Sequence, residues 1–578
     1  MGDGISGPPV RGDAGGTALV PFAPLASHLR IGDAIGAAWE NRDHLGYAWS
    51  LLTTGVCDGC SLGPRGMRDD AAPGLHLCSK RLQSLREHTR AALTPSDLAN
   101  LGRLRRSTPD ELAALGRIPY PFVRRARDRG FSRISWSDAL RLAGDTLRDT
   151  APHRTAWLAS GTGTTNEALY VLAKAARRVG SEHVAVAGPH HAAHLDGLAR
   201  TIGERAATCS FGDWIGTDLL IVWGADLGAH HPVGLRYLAE ARRRGTRVVV
   251  VDPVLRVPHA DDTLHVREGG DQALIHAVLK LLVRAEAVDN AFIAAHTRGW
   301  EAVRASVEAA ELGALVRASG VTLGQVEWLA QLIGRSTSMV SVWSEGVARH
   351  PFASDTVAAI ASLHLARGAL GRPLTGLMPL HRHPTVQGAM DCGLSPDADA
   401  VLDAARAGEI DVLYDLGGRI ARAGSEDALQ SVRLRIHHAS TLHPSMLVDG
   451  DTVLILPSQT RYEQPGGGTC TSAERRVRFT PEIEGHPHIG EARPDVEIPA
   501  RVVCAAFPGL EPELRFASTA AIRAEMGAEV PRYRGIERLQ REGDWIQWGG
   551  ATLALGGRFA GMPDGHAQLE LPALPGMP

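Results

Sequence analysis

A chain of 578 residues is too long for one ordinary core, so two to four domains are expected. With 44% hydrophobic and 22% charged residues and a formal net charge of −3, it reads as a water-soluble globular protein, with no electrostatic case for nucleic acid or an anionic membrane as partner. No apolar run reaches the length of a membrane span, and seven cysteines in so long a chain make no disulfide framework, which points to a reducing cytoplasm.

Residues 1–45 open with "MGDGISGPPVRGDAGG", which lacks the basic region, apolar core and twin arginine of an export signal, and are expected to form a flexible leader. Residues 46–112 carry Cys57, Cys60 and Cys78 among polar stretches, as expected of a small subdomain with short helices. From Ile134 the pattern becomes regular. "ISWSDALRLAGDTLRD" places Ser135 and Asp138 as a capping pair, with Leu140, Ala143 and Leu147 on one helical face. "TAWLASG", the helix "TTNEALYVLAKAARRVG" and "HVAVAG" then make one βαβ unit; "DLLIVWGA", "PVGLRYLAEARRRG" and "RVVVVDP" make a second. After a helical middle the pattern returns in "SMVSVWSEG", "DTVAAIASLHLARGAL", "EIDVLYDLGG" and "DTVLILPS". Unbroken apolar strands separated by helices predict an α/β protein whose parallel sheets are covered on both faces.

Each strand runs into a loop containing Gly or Ser, where free backbone N–H groups can meet phosphate. Five or more such loops point to an extended phosphate-bearing cofactor, although none fits a dinucleotide or P-loop motif cleanly; "SGTGTTNEA" comes nearest. "CDGC" followed by "HLCSK" supplies three thiol donors of an expected four. CxxC lets two thiolates reach one metal centre from a tight turn. The residues leave iron–sulfur, zinc completed by His76 or Asp70, and no metal equally open. Cys209, Cys392, Cys470 and Cys504 are expected to be buried thiols. "GPHHAAHLDG" sets His190, His191 and His194 at the mouth of a strand.

Taken in order, the cysteine segment, "GRIPYP", "ISWSDAL", the βαβ units, "WSEGVARH", "HRHPTVQGAMDCG", "YDLGG" and "LPSQTRYEQPGGGTCTSAERR" resemble the molybdopterin oxidoreductase family, in particular the large subunits of formate dehydrogenases. The resemblance runs from about Gly46 to Gln568. It implies molybdenum or tungsten held by two molybdopterin guanine dinucleotides in a cleft shared by several parallel-sheet domains, with an iron–sulfur cluster (4Fe–4S or 3Fe–4S) at Cys57, Cys60 and Cys78. It also implies cofactor contacts at Gly224, Asp226, His231, Asp252, Asp271, Trp343, Ser344, Gly346, Gln387, Gly388, Gly417, Gly418, Thr469 and Glu474. Lys80, two residues after Cys78, matches a family lysine that assists electron passage between cluster and pterin. The implied organisation is an α/β domain of 113–188 plus 339–505, an inserted dinucleotide-binding domain of 189–338, and a C-terminal segment of 506–578.

The chemistry-bearing positions depart from the family pattern. His190 stands where formate dehydrogenases carry the sulfur or selenium ligand to the metal, and His191 where they carry a proton-handling histidine. His190 is therefore a candidate metal ligand, with acid/base work as its other role. His381 stands in place of a formate-binding arginine, with Arg382 beside it offering planar donors that suit a carboxylate. Arg419 stands where relatives commonly have asparagine. Three readings follow. The leading one is a two-electron oxidoreductase acting on a small molecule and passing electrons to a redox partner protein. The second is a catalytically silent scaffold subunit, and the third a zinc-stabilised nucleotide-binding protein. The final "GGRFAGMPDGHAQLELPALPGMP" resembles the segment that leads into a last β-barrel domain in relatives, so a separate β-barrel subunit completing the pterin site is expected.

Overall fold

Unbroken apolar runs become strands buried on both faces. The computed structural model describes residues 31–187, 193–254, 257–417, 420 and 425–574. Strands Thr155–Ser160, Leu219–Trp223, Met339–Trp343 and Val412–Leu416 are buried at every position. Along Leu219–Trp223 the side chains divide with period two: Leu219, Ile221 and Trp223 enter one core, Leu220 and Val222 the other. Helix ends follow local chemistry. Ser135 accepts the Asp138 N–H at 3.1 Å and starts helix Trp136–Arg148. Gly180, at φ +83°, closes helix Asn166–Val179.

The strands form two large sheets. In the first the order is Ser132–Arg133, Phe122–Arg125, Thr452–Pro457, Leu434–Ala439, Val412–Leu416, Thr155–Ser160, His183–Ala187. The last five run parallel, in a register that sets Val412 opposite both Thr155 and Leu434. In the second sheet the order is Gly376–Pro379, Met339–Trp343, Leu219–Trp223, Arg247–Val251, Asp262–Leu264, all parallel. The chain thus leaves the first sheet after Ala187, builds the second, and returns at Val412.

Two sequence-based boundaries shift accordingly. Residues 339–379 pair within the second sheet, not the first. Helix Ile31–Glu40, placed in the leader by sequence, packs against helix Ser79–Thr89 as part of the cysteine module. The C-terminal segment is tied to both halves: Trp545–Gln547 pairs with Arg476–Thr480, and Ala567–Gln568 with Thr297–Arg298. Among the described residues, no helix is long and apolar enough to cross a membrane.

In each large sheet the strand order reverses at one place. In the first, the chain turns one way from Thr155–Ser160 to His183–Ala187 and the other way from Val412–Leu416 outward. In the second, the reversal lies between Leu219–Trp223 and Met339–Trp343. Open parallel sheets bind ligands outside the carboxyl ends of strands at such switch points.

Candidate active site

The cysteine module contributes three buried, free thiols. Cys57 and Cys60 lie in the loop after helix Leu45–Thr54, and Cys78 caps helix Ser79–Thr89. Each sulfur accepts backbone N–H groups: Cys57 from Gly59 at 3.4 Å, Cys60 from Leu62, Cys78 from Arg81 and Lys80. Burial, with the neighbouring cysteines adding to it, pushes Cys57 to about 11 and Cys60 to about 12, and raises Cys78. Arg81 is buried below them, its guanidinium donating to the carbonyls of Leu51, Leu52, Gly55 and Gly66. Burial keeps these thiols protonated, and the oriented N–H groups are the contacts that would favour thiolate if a metal were bound. Of the donors named for zinc, Asp70 accepts from Arg476 at 2.6 Å, whereas His76 bonds the Ala72 carbonyl through Nε2 at 2.7 Å and leaves its buried Nδ1 without a hydrogen bond among the described residues. Among the described residues no three His, Cys, Asp or Glu side chains gather closely enough for one ion.

A cleft of about 700 Å³ opens between this module and the carboxyl ends of the first sheet. Thr162–Thr164, Gly417, His438–Thr441 and Ser458–Thr460 come from four successive strand ends; Asp58, Gly59, Lys80 and His88 come from the module, and Arg382 and His383 join them. Gly417 stands at the switch point with φ +99°, where any Cβ would strike Ser160. Gly418 and Arg419 lie outside the described residues. Lys80 is half-buried, and its charge acts on Cys60 and Cys78 on one side and on His231 and His230 on the other. The lysine therefore acts on both the thiols and the histidines, and it lines the cleft.

At the second switch point Gly224 and Gly346 meet. Gly346 N–H donates to Gly224 O at 2.8 Å, and a Cβ on Gly224 would lie 2.9 Å from the Gly346 backbone. Beside them, Asp226 caps a turn through the Ala229 N–H at 2.9 Å. His231 is fully buried with both ring nitrogens unpartnered among the described residues; burial, then the Lys80 charge, holds it well below the ordinary imidazole range. Asp252 ends its strand and accepts the Val254 N–H at 2.9 Å. Asp271 opens helix Asp271–Arg284 and is pushed up to about 7 by burial, with the Asp252 charge adding to the effect. Two interacting carboxylates at one strand end suit a ligand edge rich in N–H donors. Ser344 donates to Leu380 O at 2.9 Å, and the buried Trp343 indole N–H has no acceptor among the described residues.

His190 and His191 fall in 188–192, outside the described residues. His194, in the first turn of helix Ala193–Ile202, packs 5.9 Å from the His381 ring. His381 is buried and held near pKa 3 by desolvation, with His194 adding to it, so it is a neutral imidazole and not a substitute for a cationic arginine. Arg382, 38% exposed, is the cation at this corner, 3.6 Å from Glu345 Oε1. Gln387 lies against His381 and donates to Asp391 at 3.0 Å; burial pushes Asp391 up to about 6, partly offset by Arg532.

Three further residues of the expected set make contacts within the protein. Thr469 is bonded to Glu167 at 2.8 Å, Glu474 accepts from Phe211 N and pairs with Arg476 at 3.0 Å, and Gly388 is required because a Cβ would strike Asn166. The cleft also holds residues that sequence reasoning passed over. His438 bonds Asp495 at 3.0 Å and Tyr414 at 2.8 Å, and Asp58 pairs with His88 at 3.4 Å. Asp58, lying inside the CxxC, was the member of these pairs that the sequence could have flagged.

The family model for molybdopterin oxidoreductases matches residues 117–503. An uncharacterized oxidoreductase of Mycobacterium tuberculosis is 28% identical over 484 residues, 73% of this chain and 62% of its own length. Formate dehydrogenase H of Escherichia coli is 29% identical over 289 residues, 49% of this chain and 40% of its own. The chain thus spans less than two thirds of the length of either relative. Among solved structures, acetylene hydratase from Pelobacter acetylenicus superposes with a TM-score of 0.67 at 15% identity, over 89% of this chain and 77% of that one, which shows the shared fold. The matched stretch runs through both large sheets and both switch points, and the chain belongs to the molybdopterin oxidoreductase family.

Proposed function

We propose that the protein is a formate-dehydrogenase-like oxidoreductase whose cleft takes molybdenum or tungsten on two molybdopterin guanine dinucleotides. One dinucleotide would be met by the strand ends at Thr162–Thr164 and Gly417. The other would be met at Gly224, Asp226, Ser344 and Gly346, with Asp252 and Asp271 accepting from its guanine. Cys57, Cys60 and Cys78 would hold an iron–sulfur cluster, and His190 and His191 remain the proposed metal ligand and proton carrier. When bound, the metal centre supplies two-electron exchange and the cluster single-electron transfer. The chain's own part is to bind, exclude water and place charge: Lys80 at the cleft wall near Cys60 and Cys78, neutral His231 within reach of its charge, neutral His381, and Arg382 as the cation of the substrate corner. A small-molecule substrate and a redox partner protein complete the reading.

The observation that carries it is the position of Lys80, which lines the cleft at the first switch point while its charge acts on the buried thiols Cys60 and Cys78. Metal and pterin analysis of anaerobically purified protein tests it. Molybdenum or tungsten, a fluorescent pterin after oxidation, and iron in place of zinc are expected, with iron lost in Cys78→Ser. Stoichiometric zinc without iron or pterin overturns the proposal.

A further inference from the structure

The cation best placed to receive a carboxylate already faces one. Glu345 opens the short helix Glu345–Ala348 directly after strand Met339–Trp343. Its Oε1 lies 3.6 Å from Arg382 Nη1, while Oε2 lies 2.9 Å from Arg349 and 3.7 Å from His230. The carboxylate is 14% exposed, whereas Arg382 is 38% and Arg349 47% exposed. Glu345 Oε1 is shielded from water yet has no hydrogen bond among the described residues. At 3.6 Å the pair with Arg382 is too long for a charge-assisted hydrogen bond, so the glutamate, held more closely by Arg349, opposes the Arg382 charge without locking the guanidinium.

We infer that Glu345 is a specificity-determining residue that contests Arg382 with incoming small carboxylates and so discriminates against formate-sized anions. The inference rests on the reading of this corner as the substrate site. A planar carboxylate gains most from an arginine by taking two parallel N–H donors. Here it must displace Glu345 from Arg382 or bind beside a like charge, and either event weakens it. His381 cannot compensate, being neutral, and burial likewise lowers the charge on His230. The Glu345 charge therefore weakens the hold of this corner on a small carboxylate without abolishing it, because Arg349 shares the same glutamate.

Because partly exposed ion pairs are modest in strength, removing the competing charge should tighten formate by about three- to tenfold. Isothermal titration of formate into the purified full chain measures this for the wild type, Glu345→Gln, Glu345→Gln with Arg382→Gln, and Asp110→Asn. Asp110 is one of the carboxylates lining the cleft that Arg382 also lines. Glu345→Gln should show the gain, the double variant should lose it, and Asp110→Asn should change affinity less than about twofold. Glu345→Asp, which withdraws the carboxylate by one methylene, should give a smaller gain and replaces the amide if that variant does not fold. An unchanged affinity in the variant that folds, a gain that survives loss of Arg382, or an equal gain in Asp110→Asn overturns the inference. None of these titrations needs bound metal or pterin, so their failure is separate from a failed cofactor analysis.

Discussion

The two ends of the cleft are built on opposite principles. At the cysteine end every sulfur accepts backbone N–H groups and the guanidinium beneath is fixed by four carbonyls, all out of solvent. At the arginine end the cation is partly exposed, its carboxylate partner stands 3.6 Å away, and the adjacent histidine is neutral. The first is a socket whose electrostatics are set by folding, which suits a permanent anionic resident. The second leaves charge uncommitted, which suits a ligand that comes and goes. Rigidity and exchange are thus separated along one cleft, with Lys80 lining it.

The comparison breaks most severely at Arg81. Its guanidinium is the hydrogen-bond donor for carbonyls on both sides of the CxxC loop, so Arg81→Met should leave several buried acceptors unsatisfied. The expected loss is about 3–5 kcal/mol of stability, with iron content falling in parallel. Urea unfolding followed by far-UV dichroism, with iron measured per chain, checks both. A loss below about 1 kcal/mol would mean that other donors reach the same carbonyls and that the socket is not set by this residue.

Acid should sharpen the contrast from the other end. His381 is held near pKa 3 and His364 near 4, in each case mainly by burial, against an ordinary value of 6.5. The unfolded chain therefore takes up more protons than the folded one. The stability from keeping these rings neutral is whole above about pH 6.5 and is lost as pH falls toward the folded values. At pH 4 His381 alone would account for up to about 3 kcal/mol of that loss. His381→Gln, which keeps a neutral polar side chain, should flatten the fall in unfolding free energy between pH 7 and pH 4. A parallel fall in the variant would show that the imidazole is solvated and free to charge.

The strands were legible because parallel strands buried on both faces need unbroken apolar runs, and no other element of that length does. Sheet membership was not. Met339–Trp343 carries the same apolar pattern as Val412–Leu416, and nothing in either run says which neighbour it will bond. The site was legible where function is local, as in the CxxC loop and the lysine two residues past Cys78. It was less legible where a motif fixes a loop but not the contacts made inside it. The Thr469 N–H donates to Glu167, and Asn166 closely approaches Gly388. Pairs such as Glu345 with Arg382 and His438 with Asp495 exist only after strand ends from distant parts of the chain converge, so no spacing announces them.

The smallest effect on stability is expected at the residue that joins the two ends. Lys80 is half-buried and follows the capping Cys78, where a helix N-terminus favours anions and gives a lysine no folding advantage. Lys80→Gln should therefore keep iron content and change stability by no more than about 0.5 kcal/mol. Its charge nevertheless acts on Cys60 and Cys78, and a positive charge beside metal-bound sulfur favours the reduced, more negative cluster. Removing it should lower the midpoint potential of the proposed cluster in an anaerobic titration followed by paramagnetic resonance. The same substitution removes the Lys80 charge that helps to hold His231 neutral, so the effect should extend across the cleft to that ring. An unchanged potential at unchanged iron content would make Lys80 an ordinary half-exposed lysine and would leave the two ends of the cleft electrostatically unconnected.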